Sequence, residues 1–155
     1  KVMIFFTNLG EYGAVWILTA ILLLCFQKYR RYGALMLVSL LVTFLIGEIG
    51  LKNLIMRERP LVADPTVQQL IPLPSGSSFP SGHTASSFTA AWILWKADRK
   101  FGAAGLALAV CIGFSRLYLF VHYPTDVLGG AVLGIACAQG IYLLAKRYMR
   151  KKACQ

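Results

Sequence analysis

The sequence predicts an all-α fold, a polytopic membrane bundle with five spanning helices. Hydrophobic residues make up 57% of the 155 residues, whereas charged residues make up only 14%. The mean hydropathy is +0.64. Several long apolar runs are separated by short breaks rich in basic residues, proline or glycine. This pattern is typical of helices whose solvent is lipid, and it does not fit one buried globular core.

The apolar runs locate the five helices in chain order. The first run covers residues 12–26, and because fifteen residues rise only about 22 Å, we expect its helix to begin near Phe6. The later runs cover residues 33–51, 82–95, 101–121 and 127–145. Residues 53–80 are rich in proline and serine and predict a long loop outside the bilayer, with a short surface helix around residues 66–70.

Local chemistry predicts where the last helices begin and how closely they pack. Ser81 is a favourable N-cap residue, so the third helix begins at about Gly82. We expect a turn at residues 124–125 to open the fifth helix, with Asp126 in its first turn. That helix carries Gly130 and Gly134, a small-residue stripe that permits close helix contact.

Basic residues predict the orientation of the bundle. Most of the 16 lysines and arginines lie in the breaks after the first and third helices and in the C-terminal tail. By the positive-inside tendency that face is cytoplasmic, and the opposite face, with the long loop, is extracytoplasmic. The basic clusters form no continuous face, so we interpret the net charge of +10 as membrane-flanking charge and expect no nucleic-acid partner.

Several polar or reactive residues have simple structural interpretations. Glu48 is predicted to pair with Lys52 four residues later in the helix, whereas Arg57 and Glu58 are interpreted as solvated loop charges. The four cysteines show no metal-ligand spacing, and we expect them to pack as small hydrophobic core residues rather than to form disulfides or bind zinc. These cysteines are Cys25, Cys111, Cys137 and Cys154.

Three segments distant in the sequence bring polar residues to the extracytoplasmic face. Their cations can neutralise phosphoryl oxygens, and an arginine can bind two oxygens at once. The free N–H groups after the Ser81 N-cap add further donors. These parts fit the binding and cleavage of a phosphate ester. The segments contain Lys52 and Arg59, then Ser81, Gly82 and His83, and finally Ser115, Arg116, His122 and Asp126.

The two histidines allow a division of labour. His122 precedes Asp126 by four residues, so the carboxylate can hold one imidazole nitrogen protonated and leave the other free to attack. His83, at the start of another helix, can then protonate the leaving alkoxide and later activate water.

Together these residues resemble the three-part signature of the type 2 phosphatidic acid phosphatase superfamily, which also includes soluble acid phosphatases and vanadium haloperoxidases. The matching motifs are Lys52-x6-Arg59-Pro60, Pro80-Ser81-Gly82-His83 and Ser115-Arg116-x5-His122-x3-Asp126. The resemblance implies that phosphate is bound by Lys52, Arg59, Ser81, Gly82 and Arg116. It also implies a phosphohistidine on His122, with Asp126 as its partner and His83 as the general acid, and a reaction that needs no metal or cofactor.

The resemblance further implies a single membrane-embedded phosphatase domain over residues 1–155, with the active-site loop at about residues 53–80. The expected setting is a bacterial cell membrane, with the C-terminus cytoplasmic. The expected substrate is a phosphorylated membrane lipid such as phosphatidylglycerol phosphate, phosphatidic acid or undecaprenyl diphosphate. The lipid, the preference for a mono- or diphosphate and the oligomeric state are left open. Membrane members usually have six helices, so we expect a sixth, N-terminal helix to be missing from this sequence.

Two other classes of protein fit part of the pattern. A metal-dependent hydrolase could use His83, His122 and Asp126 as ligands, but the chain lacks a His-x3-His pair and nearby cations disfavour a divalent ion. A non-catalytic subunit that binds or transports an anionic lipid would use the same cations without a nucleophile.

Overall fold

The computed structural model describes residues 1–64 and 66–153, and these residues form helices and loops without a strand. The first three helices are α1 (Val2–Leu9), α2 (Ala14–Cys25) and α3 (Arg30–Phe44). Helix α3 continues through π-helical turns at Leu45–Leu51 into α4 (Lys52–Ile55). The remaining helices are α5 (Pro60–Ala63), α6 (Gly82–Ala97), α7 (Arg99–Tyr118) and α8 (Pro124–Ala153). The all-α class and the start of the last helix at Pro124 are confirmed.

The protein is a helical membrane protein, and the described part of the chain has three or four candidate spans. Three helical stretches within it are long and apolar enough to cross a membrane, and they are Arg30–Ala63, Arg99–Tyr118 and Pro124–Lys152. The pair α1 and α2 adds a fourth if it is one span. Helix α6 has 16 residues and rises about 24 Å, which is short of a ~30 Å hydrocarbon core.

The first apolar run is bent, and the prediction of a single helix that begins near Phe6 is wrong, because two helices occupy this part of the chain. Helices α1 and α2 meet at 46°. Tyr12 and Gly13 between them have φ values of +51° and +66°. Two successive residues in the left-handed region interrupt the ladder of i to i−4 hydrogen bonds, so the helix cannot continue through them.

The loop between α4 and α6 contains a short helix at a different place from the predicted one. Helix α5 begins at Pro60, whose fixed φ suits the first helical position. Asp64 ends it and accepts hydrogen bonds from the backbone N–H and the hydroxyl of Thr66. Because Thr66 is drawn into this turn, the predicted surface helix around residues 66–70 is wrong.

Helix α6 is the centre of the bundle and packs against α3, α7 and α8. Helix α6 can occupy this central position because many of its residues are small or carry a hydroxyl group that forms hydrogen bonds with neighbouring helices. Thr89 pairs with Thr43 of α3 at 2.9 Å, and Ser87 accepts from Trp16 of α2 at 2.9 Å.

The glycine stripe of α8 packs against α6, as predicted. A Cβ on Gly134 would collide with the Ala85 carbonyl oxygen, and a Cβ on Gly130 would lie 2.6 Å from the Ser81 carbonyl oxygen. The two backbones can therefore approach only because glycine stands at both positions. The thiols of Cys25, Cys111 and Cys137 are free, and Cys154 lies outside the described residues.

Candidate active site

The ends of several helices and two loops surround a cavity of about 610 Å³. Six of the eight predicted site residues line it, although they come from separate parts of the chain. They are Lys52, Arg59, Gly82, His83, Arg116 and His122. The other two, Ser81 and Asp126, are fully buried. The tertiary structure thus brings the three sequence segments to one place.

Lys52 reaches the cavity from the end of the π-helical segment. Its ammonium donates to Glu48 at 2.8 Å, which confirms the predicted ion pair. Glu48 also lines the cavity and lies against the first turn of α6. A Cβ on Gly82 would collide with the Glu48 carboxylate, which would have to move aside.

Arg59 is anchored by the loop that precedes α6 and is 97% buried. Its guanidinium donates to the carbonyl oxygens of Ser75 and Gly76 at 3.1 and 3.2 Å. A third bond reaches the Val121 carbonyl at 3.1 Å, and the same Nη1 atom lies 3.3 Å from His122 Nε2. These carbonyls orient a positive charge beside the imidazole and leave little freedom for the side chain.

His122 lies in the short loop between α7 and α8 and is buried. The pKa of His122 is lowered to about 4, chiefly because burial disfavours the protonated ring. The charges of Arg116 and Arg59 also oppose protonation, whereas Asp126 favours it. The ring is therefore neutral near pH 7. A neutral imidazole has the free electron pair that a nucleophile needs.

Asp126 holds the other side of the His122 ring with the help of a serine. The His122 Nδ1 to Asp126 Oδ2 distance is 3.6 Å, which is longer than a direct hydrogen bond. Ser78 lies beside both groups: its hydroxyl donates to Asp126 Oδ2 at 2.5 Å and is 3.4 Å from His122 Nδ1. The sequence predicts only a loop position for Ser78, because its serine-rich surroundings are typical of turns.

Asp126 also receives a charged partner that was not predicted. Arg57 Nη1 donates to Asp126 Oδ1 at 2.8 Å. The interpretation of Arg57 as a solvated loop charge is therefore wrong, whereas Glu58 is exposed. The Tyr123 backbone N–H completes the set of donors, at 2.8 Å from Asp126 Oδ2.

Ser81 occupies the N-cap position of α6, but its side chain makes no capping bond. Its hydroxyl instead accepts from Thr84 at 3.0 Å. The Ser81 backbone N–H donates to the Asp126 carbonyl at 3.0 Å. This bond ties the start of α6 to the start of α8, and it holds the two histidine-bearing segments together.

Helix α1 contacts Arg116 through Thr7. This arginine is 98% buried, and its Nη1 atom donates to the Thr7 hydroxyl. Its Nε atom is buried without a hydrogen-bond partner among the described residues. A buried guanidinium nitrogen requires an acceptor, and an oxygen of a bound phosphate would supply one. Thr7 was not predicted as a site residue, because threonine in an apolar run has many structural uses.

The far half of the cavity is apolar. It is lined by Ile17 of α2 and by a group of α3 side chains, Leu37, Leu40, Leu41 and Phe44. Ile17, Leu41 and Phe44 are also exposed on the surface of the bundle. The cavity therefore extends from the cations to the lipid-facing surface between α2 and α3.

Comparison with known proteins agrees with this architecture. The sequence matches the PAP2 superfamily over residues 28–150. It is 34% identical to an undecaprenyl-diphosphatase from Sulfolobus acidocaldarius over 85% of this chain, and it spans 64% of that relative's length. This chain therefore corresponds to less than two thirds of that relative.

Two solved structures have the same fold. The crystal structure of LpxE from Aquifex aeolicus has a TM-score of 0.77 and 31% identity, covering 90% of this chain and 84% of that one. A transmembrane PAP2-type phosphatidylglycerolphosphate phosphatase from Bacillus subtilis has a TM-score of 0.75 and 28% identity, covering 94% and 76%. With its family match over most of its length, its membrane helices and its three signature segments around one cavity, this chain belongs to the PAP2 superfamily.

Proposed function

We propose that this chain is an integral membrane lipid phosphatase that forms a phosphohistidine on His122 and uses no metal or cofactor. One observation carries the proposal. Three cations and both histidines line one end of a cavity whose other end is apolar and reaches the lipid-facing surface. A phosphorylated lipid has this same division between a charged headgroup and apolar chains.

The first chemical step is transfer of the phosphoryl group to the enzyme. Lys52, Arg116 and the Gly82 N–H bind the phosphate oxygens, and Arg59 stabilises the charge beside His122. The His122 Nε2 electron pair forms a bond to phosphorus while the bond from phosphorus to the leaving oxygen breaks. While the anionic phosphate is bound and offsets the neighbouring cations, His83 is protonated, and it gives its proton to that oxygen. Fixed donors stabilise the charge that develops on the phosphoryl group.

The second step releases inorganic phosphate. His83, now neutral, accepts a proton from a water molecule as its oxygen attacks the phosphohistidine. The nitrogen–phosphorus bond breaks, and His122 regains its electron pair. Asp126 and Ser78 hold His122 Nδ1 in both steps, and Ser81 supports the start of α6 beside Asp126.

The shape of the cavity and the relatives both support a lipid substrate. The apolar half fits acyl or isoprenyl chains, which would lie between α2 and α3. The relatives include an undecaprenyl-diphosphatase and a phosphatidylglycerolphosphate phosphatase. We therefore propose a phosphate monoester or diphosphate on a membrane lipid, with phosphatidic acid as a third substrate in that class.

The proposed topology has five spans in one domain, with α6 as the short fifth. Aromatic residues with cations above their rings support a cytoplasmic boundary at the end of the bundle opposite the cavity. Lys96 lies over Trp92 and Arg99 over Trp95, at 4.5 and 4.7 Å. Interfacial aromatic and basic residues mark membrane boundaries. The cavity would then face the extracytoplasmic side of a bacterial cell membrane, with the C-terminus inside.

Phosphate release from a lipid panel tests this function. The panel contains phosphatidylglycerol phosphate, phosphatidic acid, undecaprenyl diphosphate and a soluble sugar phosphate, each in detergent with and without excess EDTA. We expect release from at least one lipid, slow release from the sugar and no effect of EDTA. Loss in EDTA that zinc restores would support the metal-dependent alternative. Binding without release from any lipid would support the non-catalytic subunit.

A further inference from the structure

Arg57 lies two residues before Arg59, at a position to which the three motifs assign no role. Its Nη1 atom donates to Asp126 Oδ1 at 2.8 Å and to the Thr125 hydroxyl at 2.6 Å. Its guanidinium carbon lies 4.1 Å from the centroid of the Tyr123 ring. One side chain thus contacts three residues at the start of α8, immediately after His122.

The backbone of Arg57 is also paired with the segment that leads into α6. The Arg57 N–H donates to the Ser77 hydroxyl at 2.9 Å, and the Ser78 N–H donates to the Arg57 carbonyl at 2.8 Å. Ser78 in turn donates to the second carboxylate oxygen of Asp126. The two paired segments therefore hold both oxygens of one buried carboxylate.

Charge explains why Asp126 needs such a partner. The carboxylate is fully buried, and a buried charge without a countercharge is strongly unfavourable. His122 cannot supply that countercharge while its ring is neutral. Arg57 supplies it through a short charge-assisted hydrogen bond.

We propose that Arg57 is a positioning residue for the phosphatase reaction, which fixes the Asp126 carboxylate and, through it and Ser78, the ring of His122. This inference rests on the proposed function. The residues that Arg57 contacts, Tyr123, Thr125 and Asp126, are outside the set that lines the cavity. Arg57 therefore acts through Asp126 and does not bind the phosphate.

The contact between Arg57 and Asp126 should also affect the pH dependence of the reaction. The charged and titratable groups that face His122 are Asp126 on the Nδ1 side, Arg59 on the Nε2 side, and Arg116 and His83 in the cavity. Removing the charge of Arg57 leaves the Asp126 carboxylate less neutralised. The carboxylate then attracts the protonated ring more strongly, so the pKa of His122 rises. Activity that needs the neutral ring is lost at a higher pH.

The test compares Arg57→Gln and Arg57→Lys with wild type and two control variants in detergent. Glu58→Gln changes an exposed neighbouring charge, and Arg99→Gln removes an arginine that lies over Trp95 at the opposite end of the bundle. Initial rates are measured from pH 4 to 9 on one lipid phosphate that wild type hydrolyses. Because every variant is assayed with the same substrate, the ionisation of the substrate affects all rate profiles equally.

We expect Arg57→Gln to lower kcat by up to about a hundredfold, because a misplaced reacting group has an effect of this size. KM should stay within about threefold of wild type, since phosphate binding is preserved. The acidic limb of the rate profile should move toward neutral pH. Arg57→Lys keeps the charge, so its acidic limb should stay near that of wild type and kcat should be partly restored. Both control variants should behave as wild type.

Thermal unfolding of each variant separates positioning from folding. If Arg57→Gln does not fold, Arg57→Lys decides: reduced kcat with an unshifted acidic limb supports the role, and wild-type kcat overturns it. A folded Arg57→Gln variant with wild-type kcat and pH profile also overturns it, while the proposed function stands. If wild type releases no phosphate from the panel, the proposed function fails and the role of Arg57 fails with it.

Discussion

Arg59 Nη1 lies 3.3 Å from His122 Nε2. A guanidinium remains charged in proteins and can only donate, so it opposes protonation of the adjacent ring nitrogen, whose electron pair faces the guanidinium N–H in the substrate-free site. The same positive charge lies where a phosphoryl group would join that nitrogen. One residue can therefore keep the proposed nucleophile neutral and stabilise the charge that its attack creates.

Replacing the proposed nucleophile tests the covalent mechanism. His122→Ala should lower phosphate release by about a thousandfold or more, as loss of a nucleophile does in other enzymes. Rapid quenching of wild type with a radiolabelled lipid should trap phosphate on the protein that is labile to acid and stable to base. The variant should trap none. Retained turnover in His122→Ala would refute the phosphohistidine and would point to another nucleophile.

The titration of His122 can be measured directly, because the chain has only two histidines. In the substrate-free protein, NMR of isotope-labelled histidine should show one ring that titrates near pH 4, and His83→Ala should leave that signal in place. The neutral ring is the active form, so activity that depends on His122 is retained above this pH and lost as the pH falls through about 4. A titration near the ordinary value of 6.5 would contradict burial as the controlling effect.

The same shift predicts how folding stability depends on pH. The folded pKa of His122 lies below the unfolded value of 6.5, so between pH 6.5 and about 4 the unfolded chain binds more protons at this site. The contribution of His122 to stability is therefore fully present above pH 6.5 and decreases as the pH falls through this window. The free energy of unfolding of wild type and His122→Gln, measured in detergent at pH 7.5 and 4.5, gives this contribution. The stability difference between them should shift in favour of the variant at the lower pH.

A side chain at Gly82 should push the Glu48 carboxylate aside and disturb its ion pair with Lys52. Gly82→Ala should lower phosphate release by about tenfold, since overpacking strains a site by about 1–3 kcal/mol. Glu48→Ala in the same chain should restore part of the loss by removing the colliding carboxylate. Gly140→Ala is the matched control, because a Cβ there has no neighbour within 4 Å. Equal activity of Gly82→Ala and Gly140→Ala would remove the proposed steric constraint.

Thr7 should act on phosphate binding through Arg116. Thr7→Val removes the hydroxyl that accepts from the Arg116 guanidinium, and an unsatisfied buried donor costs about 1–3 kcal/mol. We expect KM and the inhibition constant of inorganic phosphate to rise about tenfold. Thr19→Val is a suitable control, because the Thr19 hydroxyl donates only to Val15 of its own helix at 2.7 Å. An unchanged inhibition constant in Thr7→Val would show that Thr7 does not affect phosphate binding.

Short-range chemistry explains which structural predictions succeeded. Apolar runs predicted the helices because each run satisfies its own backbone hydrogen bonds in lipid. Pro124 started α8, and the four-residue spacing of Glu48 and Lys52 produced their ion pair. The bend at Tyr12 was not predicted, because nothing in its immediate sequence demands a positive φ at a tyrosine.

Sequence by itself determined the helical class and the residue types that can serve a phosphate ester. It also determined the family, through three short motifs whose spacing within each motif is local. Only the tertiary structure decided which other residues contact the residues of those motifs. Arg57, Ser78 and Thr7 are ordinary loop or helix residues along the chain, and they become partners of Asp126, His122 and Arg116 once the helices pack. Burial and charge at a site depend on segments far apart in the chain, so local patterns cannot specify them.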